Sequence, residues 1–249
     1  MSRWKAAAIH LSISLTIGLI VGSLLLFVWY PPPLFHAAGA DELALLLVSV
    51  DLALGPLLTL VVFKAGKKGL QFDLTLIAAL QAAALVYGMS VVLHSRPVFI
   101  ATAVDRFVLV FASDLSDADL AEGRKPEFRS RSLTGPLLVG TQIPSTAQER
   151  STILSSSIIG KDVESYPKYY VNYDAAAPAL LKRAKPLGAL KINDANSKDV
   201  LDSALVKTGL PVDHVVWVPL VARKATLVML LNRDNGQPLR AVPINPWTD

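Results

Sequence analysis

Three long apolar runs fill the chain before residue 95, and beyond it the pattern breaks into short alternating stretches. The runs, at 7–30, 43–63 and 74–93, are each about as long as a bilayer core is thick, roughly 20 residues at about 1.5 Å rise. The second and third fold back on each other across a loop carrying Lys64, Lys67 and Lys68. The pattern predicts three transmembrane helices over residues 1–95. The positive-inside bias places that loop and the N-terminus, with Arg3 and Lys5, in the cytoplasm. The segment with Pro31, Pro32 and Pro33, followed by Asp41 and Glu42, then lies outside, and so do residues 96–249. Trp29 and Tyr30 close the first run as expected interfacial anchors. Ala38-Gly39-Ala40 resembles a signal-peptidase site. The run before it is far longer than a signal core of roughly 7–15 residues, which favours a retained span.

Inside the runs, two patterns carry candidate chemistry. Ser14, Gly18 and Gly22 recur every four residues and let another helix approach closely, whether one of the chain's own spans, a guest helix or a second copy. Asp51 lies near mid-membrane, where a carboxyl is costly and points to function, and Gln81 is expected at similar depth to bond it. Gly55-Pro56 follows one turn later, and a proline inside a helix removes a hydrogen bond and kinks the axis. Two readings stand: a notch that accepts a guest helix with Asp51 as its polar anchor, or an internal clamp that holds the bundle. The loop lysines fix orientation or meet anionic lipid head groups.

Past Arg96-Pro97 the texture predicts one α+β domain over 96–249. Residues 98–111 read as one long or two short strands broken at Asp105-Arg106, and Ser116 to Asp119 as a capping box opening a short helix. A strand is expected at 137–143, and helices at 146–158, 175–184 and 197–208. An antiparallel β-meander over 214–221, 225–232 and 238–244 closes the chain, covered on one face by the helices before it. Tyr166, Tyr169, Tyr170 and Tyr173 form the densest aromatic patch outside the apolar runs, either a recognition surface or a loop packed over the domain's own core.

Composition narrows the function. A 52% hydrophobic share and a mean hydropathy of +0.45 fit a membrane bundle plus a domain. The net charge of the whole chain is +4, but beyond Ser95, 19 Lys and Arg stand against 16 Asp and Glu without long blocks of one sign, so nucleic acid is a poor partner. Absence of cysteine removes disulfides and thiol chemistry, and the four histidines, His10, His36, His94 and His214, make no spaced ligand pair. No nucleotide-, metal- or nucleophile-bearing motif occurs, so neither cofactor nor metal is expected. A membrane enzyme would have to draw on His94, Asp105 and Arg106, and a membrane-anchored ligand sensor would lack a cytoplasmic output domain.

The string VDLALGPLLTLVVFKAGKKGLQFDLTLIAALQAAALVYG, followed by RPVF and VDRF, resembles the type IV pilin accessory proteins of the TfpX/TfpZ family, which include FimB-like fimbrial assembly proteins. The resemblance is densest over 51–107 and includes the first span. It implies a multi-pass inner-membrane protein of Gram-negative bacteria that acts as chaperone or modulator for one pilin, and no enzyme. Pilins have an apolar membrane helix and a globular head. On this view Asp51, Gly55, Pro56, Gln81, Ser14, Gly18 and Gly22 meet the pilin helix, and the four tyrosines meet its head.

Overall fold

The computed structural model describes residues 2–192 and 194–247. Helix α1 (Arg3–Leu24) ends in a wider π turn over Leu25–Trp29, α3 spans Ala40–Val62 and α4 Leu70–Ser95, with the short α2 (Leu34–Ala37) between the first two. The three long helices are apolar and long enough to cross a membrane. No more than 22% of the residues in any of their apolar windows are buried by the protein. Leu45, Val61, Phe72 and Val86 are each at least 70% exposed. Such outward apolar faces suit lipid and not water. Gly39 and Gly69, both at positive φ, let the chain turn directly into α3 and α4.

The rest of the chain is organised by an eight-stranded sheet in the order β4-β3-β1-β2-β6-β7-β8, with β5 paired beside β6. Its strands are β1 (Pro97–Ala103), β2 (Arg106–Phe111), β3 (Leu137–Thr141), β4 (Tyr170–Asn172), β5 (Lys185–Pro186), β6 (Val215–Val221), β7 (Thr226–Asn232) and β8 (Pro238–Val242). Helices α5 (Asp117–Ala121), α6 (Ala147–Ser157), α7 (Tyr173–Leu181) and α8 (Ala195–Val206) connect them. The expected break at Asp105-Arg106 is a hairpin turn, and the Ser116–Asp119 box caps α5. The expected meander exists as β6-β7-β8, but it is only part of a mixed sheet. β1 lies parallel to β3, and β2 lies parallel to β6. The signal for this was the unbroken apolar run Val215–Val221, buried along nearly its whole length, as strands covered on both faces are.

Two-residue periodicity divides β6 and β7 between two cores. Val215, Trp217, Val228 and Leu230 face α8 through Leu201 and Ala204. Val216, Val218, Leu220, Leu227, Met229 and Leu231 face the opposite way, onto Tyr30, Leu34, Ala37 and Val92 from the bundle's end. The helical bundle and the sheet thus share one core, which the sequence pattern did not indicate. Trp29 and Tyr30, expected as interfacial anchors, are buried in it. Trp29 donates its indole N–H to the Leu133 carbonyl at 2.9 Å, and Tyr30 donates its hydroxyl to that of Val92 at 3.4 Å.

Arg96 joins α4 to β1 and is 4% exposed. Its guanidinium donates to the carbonyls of Ser132 (2.9 Å) and Arg131 (3.1 Å) and to Leu93, an otherwise orphaned acceptor at the end of α4. On the other side of the junction, Lys224 at the β6–β7 turn meets Glu42 at 2.7 Å and Asp41 at 3.5 Å, while its backbone N–H donates to Ala37 O at 2.9 Å. His36 adds a 2.6 Å contact to Asp41.

Candidate functional site: a polar cleft between apolar helices

Helix α3 is the middle of the bundle. It packs along α1 on one side and α4 on the other, and α1 and α4 barely touch. Small residues set both contacts. Ser14 is buried, and a Cβ at Gly18 would lie 3.7 Å from Val48 Cγ1, so the Ser14–Gly18 side of α1 is taken up by α3; nothing lies within 4 Å of the Cβ position of Gly22. On the α4 side, a Cβ at Gly88 would come 2.7 Å from Leu47 Cδ1, and one at Gly55 would fall 2.0 Å from Gln81 Nε2. Gly55 therefore makes room for the Gln81 amide between α3 and α4.

Because α1 and α4 diverge, a cleft of about 180 Å³ opens between them. His10, Ile13, Ser14 and Ile17 form one wall, Ala78, Gln81, Ala82 and Leu85 the other, and Asp51 the floor. A larger groove of about 390 Å³ runs between α3 and α4 from Asp51 to Val91 and Val92, almost wholly apolar. Asp51 borders both.

The expected Asp51–Gln81 pairing is present in a different form. Gln81 Nε2 donates to the backbone carbonyl of Asp51 at 3.3 Å, not to its carboxylate. Asp51 Oδ1 is buried without any hydrogen bond among the described residues. The nearest imidazole is occupied elsewhere: His10 Nδ1 and Thr59 Oγ1 lie 2.6 Å apart and tie α1 to α3. Pro56 sits inside a continuous α3 and leaves the Leu52 carbonyl without its helical donor. An unbonded carboxylate oxygen between apolar helices costs several kcal/mol on the order of magnitude, so a group that satisfies it gains a comparable advantage.

The other sequence-derived positions lie apart from this cleft. Lys64 and Lys68 are exposed in the α3–α4 loop, and Lys67 pairs with Asp73 at 2.6 Å in the first turn of α4. The tyrosines do not make an open recognition surface. Tyr170 is fully buried between Phe99 and Phe128, and Tyr173 is stacked on Phe107 with its hydroxyl donated to Gly236 O. Tyr169 is 5% exposed, which leaves half-buried Tyr166 under Lys161, 4.7 Å from its ring centroid. Tyr169, Tyr170 and Tyr173 pack the domain's own core, and the hydroxyls of Tyr170 and Tyr173 reach the carbonyls of Glu164 and Gly236 as their rings are covered. His94 bonds Ser90 O at the end of α4. Asp105 and Arg106 pair with each other at 2.8 Å at the far end of β1, about 20 Å away at roughly 3.3 Å per residue, so the three do not form a site.

The fold and the cleft define a membrane-associated protein: three long apolar helices, joined through one core to a mixed-sheet domain, with a carboxylate held between the helices. The chain belongs to the FimB fimbrial assembly protein family. The family model "Fimbrial assembly protein FimB" matches residues 1–39. A fimbrial assembly protein of Dichelobacter nodosus, serogroup I, is 31% identical over 98% of this chain and 95% of its own length. The serogroup E1 protein of the same organism is 29% identical over the same shares, and a shorter relative from serogroups C1 and C2 is 33% identical over 45% of this chain and 86% of itself. No solved structure matches the chain significantly.

Proposed function

We propose that this protein works in pilus assembly, as the names of its relatives indicate for them, by binding a type IV pilin subunit in the inner membrane and holding it ready for assembly. Helices α1, α3 and α4 span the bilayer with the N-terminus and the Lys64–Lys68 loop cytoplasmic, and residues 96–249 form a periplasmic domain. The pilin's apolar helix lies in the cleft between α1 and α4, and the periplasmic domain stands beside the pilin head. The observation that carries the reading is the cleft itself, in which two largely apolar walls diverge over an unsatisfied carboxylate oxygen instead of closing on it. A bundle meant only to hold itself together would bury that group against a donor of its own.

Photocrosslinkers at Ile13 and Ala82, on the two walls, should capture the pilin in membranes of piliated cells. The same group at Val61, on an exposed apolar face, should not. Equal capture from all three positions, or none from the walls, would refute the reading.

A further inference from the structure

We infer that the helix seated in the cleft brings a positively charged nitrogen, a lysine, an arginine or a free amino terminus, to the carboxylate of Asp51. This rests on the guest-helix reading above and adds to it the chemistry by which the guest is chosen.

Few polar groups lie within reach of Asp51. Its Oδ1 is buried with no hydrogen bond among the described residues, the Gln81 amide is given to a backbone carbonyl, and the Nδ1 of His10 is tied to Thr59. Ser14 lines the same cavity, but one hydroxyl can satisfy only one of about four lone-pair sites. The remaining walls, Ile13, Ile17, Ala78, Ala82 and Leu85, offer nothing. Nor can the bundle supply a lysine or arginine. Its basic residues, Arg3, Lys5, Lys64, Lys67 and Lys68, lie at the helix ends, whereas Asp51 sits at the midpoint of α3, about 16 Å from either end at 1.5 Å per residue.

Among the described bundle residues the one basic side chain in the cleft is His10, which is tied to Thr59 through Nδ1 and makes no hydrogen bond to Asp51. A permanent counter-charge has to come from outside the bundle, and the cleft determines what can bring it. The walls are apolar and the opening lies between two helices, so the group must arrive on an apolar helix. A lone cation on such a helix is as costly in the bilayer as Asp51 is here. Pairing relieves both, and an apolar helix without the cation gains only generic contact. A hydroxyl on the guest would leave most of the carboxylate unpaired; an ammonium or guanidinium supplies several donors together with the charge. The cleft thus discriminates through mutual need and not through shape alone.

The test uses the full-length protein in its native membrane, with the photocrosslinker at Ala82 and Asp51 wild-type or changed to Ala, Asn or Glu. Capture should fall at least tenfold in Asp51→Ala and in Asp51→Asn, which keeps size and polarity but removes the charge. Asp51→Glu should retain most of it. Mass spectrometry of the captured segment should find a lysine, arginine or amino terminus within one helical turn of the crosslink. Undiminished capture by Asp51→Asn, with the variant present at wild-type level, overturns the inference while leaving the guest helix in place. A captured segment without a basic nitrogen does the same. No capture even by the wild-type chain removes both readings. Should Asp51→Ala fail to accumulate, the Asn and Glu pair decides alone.

Discussion

Gly55→Ala is the sharpest probe of how the cleft is built, because the structure predicts that its effect changes sign with residue 81. The new Cβ would land 2.0 Å from Gln81 Nε2, 2.5 Å from Cδ and 2.6 Å from Oε1. Ordinary contact lies near 3.5–4 Å, so the amide must move by about 1.5 Å, which breaks its 3.3 Å bond to Asp51 O. A hydrogen bond between apolar helices averages about 0.6 kcal/mol and reaches about 1.7, and repacking adds about 1 kcal/mol or more. Against this, alanine favours the helix over glycine by up to about 1 kcal/mol. The net loss is about 1 kcal/mol, most of it arising from one movable side chain. In a Gln81→Ala background the obstruction is gone and the propensity gain remains, so the same substitution should be neutral or stabilising. Thermal or denaturant unfolding of the four proteins in one detergent measures the cycle. Equal effects of Gly55→Ala in both backgrounds would show that the two residues do not share this space.

Two further predictions concern the sheet domain. Gly140→Ala places a methyl group 2.5 Å from Ala176 Cβ, which has no rotamer to yield, and 3.2 Å from Asn172 O. It should cost about 2–3 kcal/mol in chemical unfolding, and Ala176→Gly should restore most of that; a tolerated single mutant would mean that β3 and α7 are not so closely apposed. Burial pushes the Glu164 carboxyl above the usual carboxylate range, and its Oε2 lacks a hydrogen bond among the described residues. The folded state therefore holds a proton that the unfolded state releases, and stability falls as pH rises from the ordinary glutamate value through the raised one. Glu164→Gln should melt higher at pH 7.5, by about 1 kcal/mol, and lose that advantage near pH 4; a pH-independent difference would refute the assignment.

Much of the architecture was legible because it follows from local periodicity. The three apolar helices, the break at Asp105-Arg106, the Ser116 cap and the closing β-hairpins each depend on neighbours within a few residues. The parallel pairings did not announce themselves, because β2 meets β6 only after a hundred residues of intervening chain and no local pattern encodes which strands lie side by side. In the cleft, Asp51, Gly55, Pro56 and Gln81 were visible as residues that a membrane helix tolerates only for a reason. That Gln81 bonds the Asp51 backbone and not its carboxylate depends on where Gly55 makes room between α3 and α4, a matter of packing in three dimensions. The tyrosines allowed two readings for a physical reason, since an amphipathic side chain serves equally well in an interface or in a domain's own core, and burial of Tyr169, Tyr170 and Tyr173 answers to the second. Arg96 and Lys224, which fasten the helices to the sheet, looked like ordinary charges, because their partners lie up to 183 residues away in sequence.

The contact between Lys224 and the segment before α3 also bears on the order of folding. Ala37 O accepts from the backbone N–H groups of both Lys224 and Ala225, at 2.9 and 3.3 Å, so the segment before α3 is closed by a turn that lies far along the chain, beyond every strand save β7 and β8. Strands β1 and β2 can form their hairpin early, but the face that Phe107, Leu109 and Phe111 present to Tyr30 and Leu34 is incomplete until β6 and β7 slot in beside them. Contacts of such long separation form late. Without β6 and β7 the sheet would stand open along the β2 edge and the end of the bundle would be uncovered, which makes these two strands the keystone of the joint.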